Sequence, residues 1–86
     1  MIIINGNKYR EKLLFGGPVN YRGQCDEPGE DAEIRINMHQ TEQEILDTFI
    51  HEYLHASDWE NLSEEYVSVT ARDIAKALWE KGYRRV

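Results

Sequence analysis

Cys25 is the only cysteine in this chain, so no intramolecular disulfide can form and nothing points to an oxidising compartment. Long apolar runs are missing as well. Met1-Ile2-Ile3-Ile4 is far too short for a membrane span or a secretory-signal core, and no basic segment precedes it. The expectation is a cytoplasmic protein with no membrane partner. Positive charge is scarce: 10 Lys+Arg stand against 16 Asp+Glu, a formal net charge of −6. Phosphate backbones reward clustered cations, so a nucleic-acid partner is not expected. The one basic cluster, Arg84-Arg85, reads as a solvated tail. There is no internal repeat and no linker long enough to separate two domains. Residues 1–86 therefore make a single domain, near the lower size limit for folding without a staple. A bound metal is one such staple, because binding that requires the native state adds to folding free energy.

The first half reads as strands and the second as helices. Residues 2–4 form a short strand entering a tight turn at Asn5-Gly6, two residues that tolerate positive φ. Residues 8–15 suit the returning strand, Gly16-Gly17-Pro18 breaks it, and residues 21–25 suit a third strand. After an acidic loop, residues 32–37 alternate, with Ala32, Ile34 and Ile36 on one face and Glu33, Arg35 and Asn37 on the other. Thr41-Glu42-Gln43-Glu44 is a capping box. Beyond it, Ile45, Leu46, Phe49, Ile50, Tyr53, Leu54 and Ala56 form an apolar sector, opposite Thr48, His51, His55 and Asp58. Ser63 caps a second helix to about Lys81, with an apolar stripe of Val67, Ala71, Ile74, Ala75 and Leu78 and a stop at Gly82. The short link predicts an antiparallel helical hairpin. The expected fold is α+β, a small antiparallel sheet packed on that hairpin.

His51-Glu52-Tyr53-Leu54-His55 reads as H-E-x-x-H. Residues four apart on a helix lie one above the other, so both imidazoles can grip one metal ion from the same face. Zinc suits neutral imidazole nitrogen, and one zinc per chain is the expected cofactor. Glu52, the expected catalytic residue, is then placed to take a proton from a zinc-activated water. Catalytic zinc usually has a third protein ligand. Glu64 is the leading candidate on facing, with Glu65 and Asp58 as alternatives. With a rise of about 1.5 Å per residue, Glu64 falls below the level of the histidines unless the first helix stops near Asp58. His39 is a loop histidine with a weaker claim on the metal or a substrate. Tyr53 reads as packing, Tyr66 as the more open hydroxyl, and Trp59 and Trp79 as packing residues.

The run His51-Glu52-x-x-His55-Ala56-x-Asp58 followed by Leu62-Ser63-Glu64-Glu65-Tyr66-Val67 resembles the zincin metallopeptidases. More narrowly, it is similar to small phage-encoded metallopeptidases, and Gly23-Gln24-Cys25-Asp26 and Ile34-Arg35-Ile36 look like the strand pair leading into such helices. The resemblance spans residues 22–78. It implies zinc held by His51, His55 and an acidic residue of the second helix, with Glu52 as base and a peptide or protein as substrate. It also implies an edge strand that pairs with the extended substrate, taken here as residues 32–37. The leading expectation is a zinc-dependent metallopeptidase. The alternative is a non-catalytic binding or regulatory module with a structural zinc, or no metal, which would have a closed four-ligand site or none.

Overall fold

A computed structural model describes residues 1–16 and 19–85. The expected break at Gly16-Gly17-Pro18 lies outside the described residues except for Gly16. The elements run β1 (Ile2–Ile4), β2 (Asn7–Leu14), β3 (Gly23–Cys25), β4 (Glu33–Asn37), α1 (Glu42–Ser57) and α2 (Glu64–Glu80), an α+β fold. No helix among the described residues is long and apolar enough to cross a membrane.

Asn5 and Gly6 both take positive φ, 48° and 80°, and turn β1 back along β2 with Ile2 opposite Tyr9. The sheet order is β1-β2-β4-β3. β3 and β4 are antiparallel, but β2 and β4 run parallel, Arg10 opposite Glu33 through Leu14 opposite Asn37. The sheet is therefore mixed, not antiparallel as expected. The chain leaving β2 passes beyond β4's position, forms β3 on the far side, and returns as β4 into the gap. This placement also corrects the docking strand. β4 is hydrogen-bonded on both sides and has no free edge; the edge strands are β1 and β3.

The alternation in β4 has the expected consequence. Ala32, Ile34 and Ile36 are buried with Tyr9 and Ala56, and Cys25, Met38, Phe49 and Tyr53 pack around them. α1 lies on this face, against β3, β4 and β1, and packs along α2. Its most buried line is Ile45, Thr48, Glu52 and Ala56. That line is rotated from the centre of the apolar sector, because the sheet and α2 together cover the Thr48–Glu52 side. α2 answers with Val67, Ala71 and Ala75, whose small side chains let the helices approach closely, whereas Ile74 is exposed.

Both helix starts are capped as the sequence indicates. The Glu44 amide donates to Thr41 Oγ1 at 3.2 Å and Thr41 N–H donates to Glu44 Oε1 at 2.9 Å; Ser63 Oγ accepts from Tyr66 N at 3.1 Å. Such caps contribute about 1 kcal/mol each. The two helices are antiparallel: Glu64 at the start of α2 meets His55 near the end of α1, and Arg85 beyond α2 reaches Glu42 at the start of α1. Arg84 lies over the Trp79 ring at 3.4 Å. The terminal arginines stay exposed, as expected of a solvated tail, but each touches a helix.

Candidate metal centre

α1 stops early enough to resolve the reach of Glu64. Asp58 is its C-cap, and Asn5 of the β1–β2 turn donates through Nδ2 to the Ser57 carbonyl at 2.6 Å, satisfying an acceptor that a longer helix would have used. The link to Ser63 then swings the first turn of α2 alongside the histidines. Glu64 Oε1 lies 2.9 Å from His51 Nε2, and Glu64 Oε2 lies 2.7 Å from His55 Nε2. The imidazole centroids are 5.0 Å apart and meet edge to face.

One ligand atom from each of His51, His55 and Glu64 falls within 4.8 Å of the others, and this group can hold a metal ion. The donor set fits a transition ion: two imidazole nitrogens and one carboxylate converge from two capped helices. No other side chain joins this cluster among the described residues. Ser68 Oγ donates to Glu64 Oε1 at 3.3 Å and steadies it from one turn further along α2. Burial raises the Glu64 pKa, but the two histidines and Ser68 outweigh that and leave it below the usual value. The alternative ligands go elsewhere. Glu65 is exposed and outside the cluster. Asp58 accepts from Asn61 Nδ2 at 2.9 Å and faces a different depression, beside Asn5 and Glu60.

Glu52 is only 5% exposed and accepts no hydrogen bond among the described residues. Desolvation, with a smaller contribution from the Glu64 charge, pushes its pKa up to about 7. A carboxyl in that state both accepts and releases a proton near neutral pH. Its closeness to β3 depends on Gly23: a Cβ there would stand 2.7 Å from Thr48 Cγ2 and 3.0 Å from Glu52 Oε2. Only glycine lets the strand pass this near the helix.

The site opens into a depression of ≈ 430 Å³ walled by Gln24, Cys25, Asp26 and Trp59. Asp26 is anchored there by paired bonds from Arg35, 2.9 and 3.1 Å, and by the Glu33 amide at 3.0 Å. These contacts, the Arg35 bond foremost, hold its carboxyl below the usual range. Burial, reinforced by Glu52 and Asp26, pushes the Cys25 thiol up to about 12, so it is neutral in this wall. Trp59 was expected only to pack; it borders the site because α1 ends one residue before Asp58. Its place after the pentad was the available signal. His39 is exposed and outside the cluster, its amide tied to Asn37 Oδ1. Tyr66 is also exposed and away from this depression. Tyr53 packs against the core, as expected, and its hydroxyl meets Glu11.

Comparison of the chain with protein-family models, with curated proteins and with solved structures gave no match.

Proposed function

We propose that this chain is a small zinc-dependent metallopeptidase in which His51, His55 and Glu64 hold the ion and Glu52 is the proton carrier. The observation that carries this reading is the convergence of the three ligand groups beside a buried, unpaired carboxyl of raised pKa. Held by these residues, zinc would supply Lewis acidity, lowering the pKa of water toward neutrality and polarising a carbonyl. His51, His55 and Glu64 would hold the ion with three protein groups, the number usual for a catalytic and not a structural zinc.

The chain's own residues account for the rest of the reaction. Glu52 takes one proton from the attacking water while the water oxygen forms a bond to the scissile carbonyl carbon. As the C–N bond breaks, Glu52 returns that proton to the leaving nitrogen. Its burial suits both halves of the cycle, since neither protonation state is strongly preferred. β3 supplies the edge that orients substrate. Its alternation turns Gln24 toward β4, because the flanking bonds run from Asn37 N to Arg22 O and from Asp26 N to Glu33 O. The N–H and C=O of Gly23 and Cys25 therefore point to the open side, where an extended peptide can pair.

The test is turnover by Glu52→Gln. It should retain the ion and lose peptide cleavage by a factor of at least 100. Undiminished cleavage by that variant at equal metal content would refute the mechanism.

A further inference from the structure

A second depression, of ≈ 470 Å³, lies on the other side of Gly23, His51 and Glu52, sharing all three with the first. Its charge is different. Beyond the shared Glu52, the metal-side wall carries Asp26 and Glu64 and no cation but the histidines, whereas the outer wall of the second depression carries Arg22 and Arg72 against Asp47. Two of the 10 cations in a chain of net charge −6 thus face one hollow beside the candidate centre.

Arg22 is held in place without being consumed. Its Nε donates to Gln40 Oε1 at 2.8 Å, and Gln40 is itself fixed by donating to the Asn37 carbonyl at 2.7 Å. Asp47 makes a long ion pair with Arg22 Nη2 at 3.9 Å, beyond hydrogen-bond distance, and leaves that nitrogen able to donate to a ligand. Arg72, on α2, touches Asp73 only through Nε, at 3.5 Å. The terminal nitrogens of both guanidinium groups donate no hydrogen bond among the described residues. Planar forks of this kind match a carboxylate in bidentate fashion. Arg22 directly precedes β3, and a strand advances about 3.3 Å per residue. A peptide paired with Gly23 therefore extends over this hollow within one or two residues.

We propose that Arg22 and Arg72 form a subsite for a substrate carboxylate next to the cleaved bond, either an acidic side chain or the chain terminus. The assignment of the carboxylate to a peptide rests on the peptidase reading above; the subsite's affinity for it does not require turnover.

Binding and cleavage are measured separately. The Glu52→Gln chain, with zinc present, is titrated with acetyl-Ala-Ala-Glu-Ala-Ala-amide, with its Gln counterpart, and with acetyl-pentaalanine bearing a free carboxylate. The readout is the NMR signals of the arginine Nε–H groups. The Glu peptide should shift the Arg22 and Arg72 signals and bind about tenfold more tightly than the Gln peptide. Adding Arg22→Gln and Arg72→Gln should bring the two peptides level. Both arginines are exposed, so these changes leave the core intact. The free-acid peptide reports whether a chain terminus serves as well as a side chain. Equal affinity for Glu and Gln peptides, with no gain for the free acid, would overturn the subsite, as would shifts confined to other arginines. In a parallel incubation with the wild-type chain, selective binding without cleavage would contradict the peptidase reading and leave the subsite standing. Cleavage without any carboxylate preference would do the reverse.

Discussion

Glu64 and His55, nine positions apart in the chain, bring a carboxylate oxygen within 2.7 Å of an imidazole nitrogen. That contact exists because α1 ends at Ser57 and Ser63 starts α2 immediately after a short turn. Glu64 is thereby selected over its neighbour Glu65. Glu64→Gln should weaken zinc binding by at least about 100-fold, as measured by competition with a chromophoric chelator. Glu65→Gln and Asp58→Asn should leave it near the wild-type value. A large loss on Glu65→Gln, with Glu64→Gln unaffected, would assign the third ligand wrongly here.

The buried Glu52 makes the metal-free chain sensitive to pH. Its folded pKa is raised from 4.5 to about 7, so the folded state holds the proton more tightly than the unfolded one. The stability is fully present below pH 4.5 and is lost as pH rises through 7. The loss is on the order of 3 kcal/mol. Denaturant unfolding of chelator-treated protein at pH 4.5 and pH 8.5 should show that fall in the wild type, and Glu52→Gln should remove most of it. Parallel pH profiles for the two proteins would mean that Glu52 is not desolvated.

Gly23 sets the spacing between β3 and α1. Gly23→Ala should destabilise the fold by about 1–3 kcal/mol, since its methyl meets Thr48 Cγ2 at 2.7 Å. Combining it with Thr48→Ser, which deletes that methyl and keeps the hydroxyl, should recover part of the loss. Thermal unfolding of the single and double variants checks this; purely additive effects would show that the two positions do not touch.

The Cys25 thiol, with its pKa pushed up to about 12, should resist alkylation. At pH 8 its thiolate fraction is lower than that of an unfolded-chain cysteine by at least about 100-fold, and iodoacetamide labelling should slow accordingly. Equally fast labelling in native and denaturing buffer would contradict its burial.

Much of this was legible in the sequence because the signals are local. Thr41 with Glu44, Ser63, the Asn5-Gly6 turn and the Ala32-Ile34-Ile36 alternation each depend on residues a few positions apart, and the structure realises all four. Glu64 was legible as well, from its place on the second helix. The rest depends on distant partners. No pattern within β2 or β4 states that they pair in parallel, so the sheet was expected to be antiparallel and residues 32–37 were expected at an edge, whereas β4 is an interior strand. The burial of Glu52 also escaped the helical wheel. A wheel assumes one core face, and here the sheet and α2 cover α1 from two directions. Trp59 borders the metal-side depression and Arg22 and Arg72 the hollow beside it; they come from three separate segments and share no spacing that marks them.

Whether His51, His55 and Glu64 hold a metal is read from native mass spectrometry of the purified chain after incubation with zinc at neutral pH. One zinc per chain is expected in the wild type and in Glu52→Gln, and none in His51→Ala or His55→Ala. A wild-type chain that stays metal-free, or a zinc that survives the loss of either histidine, would contradict this metal site.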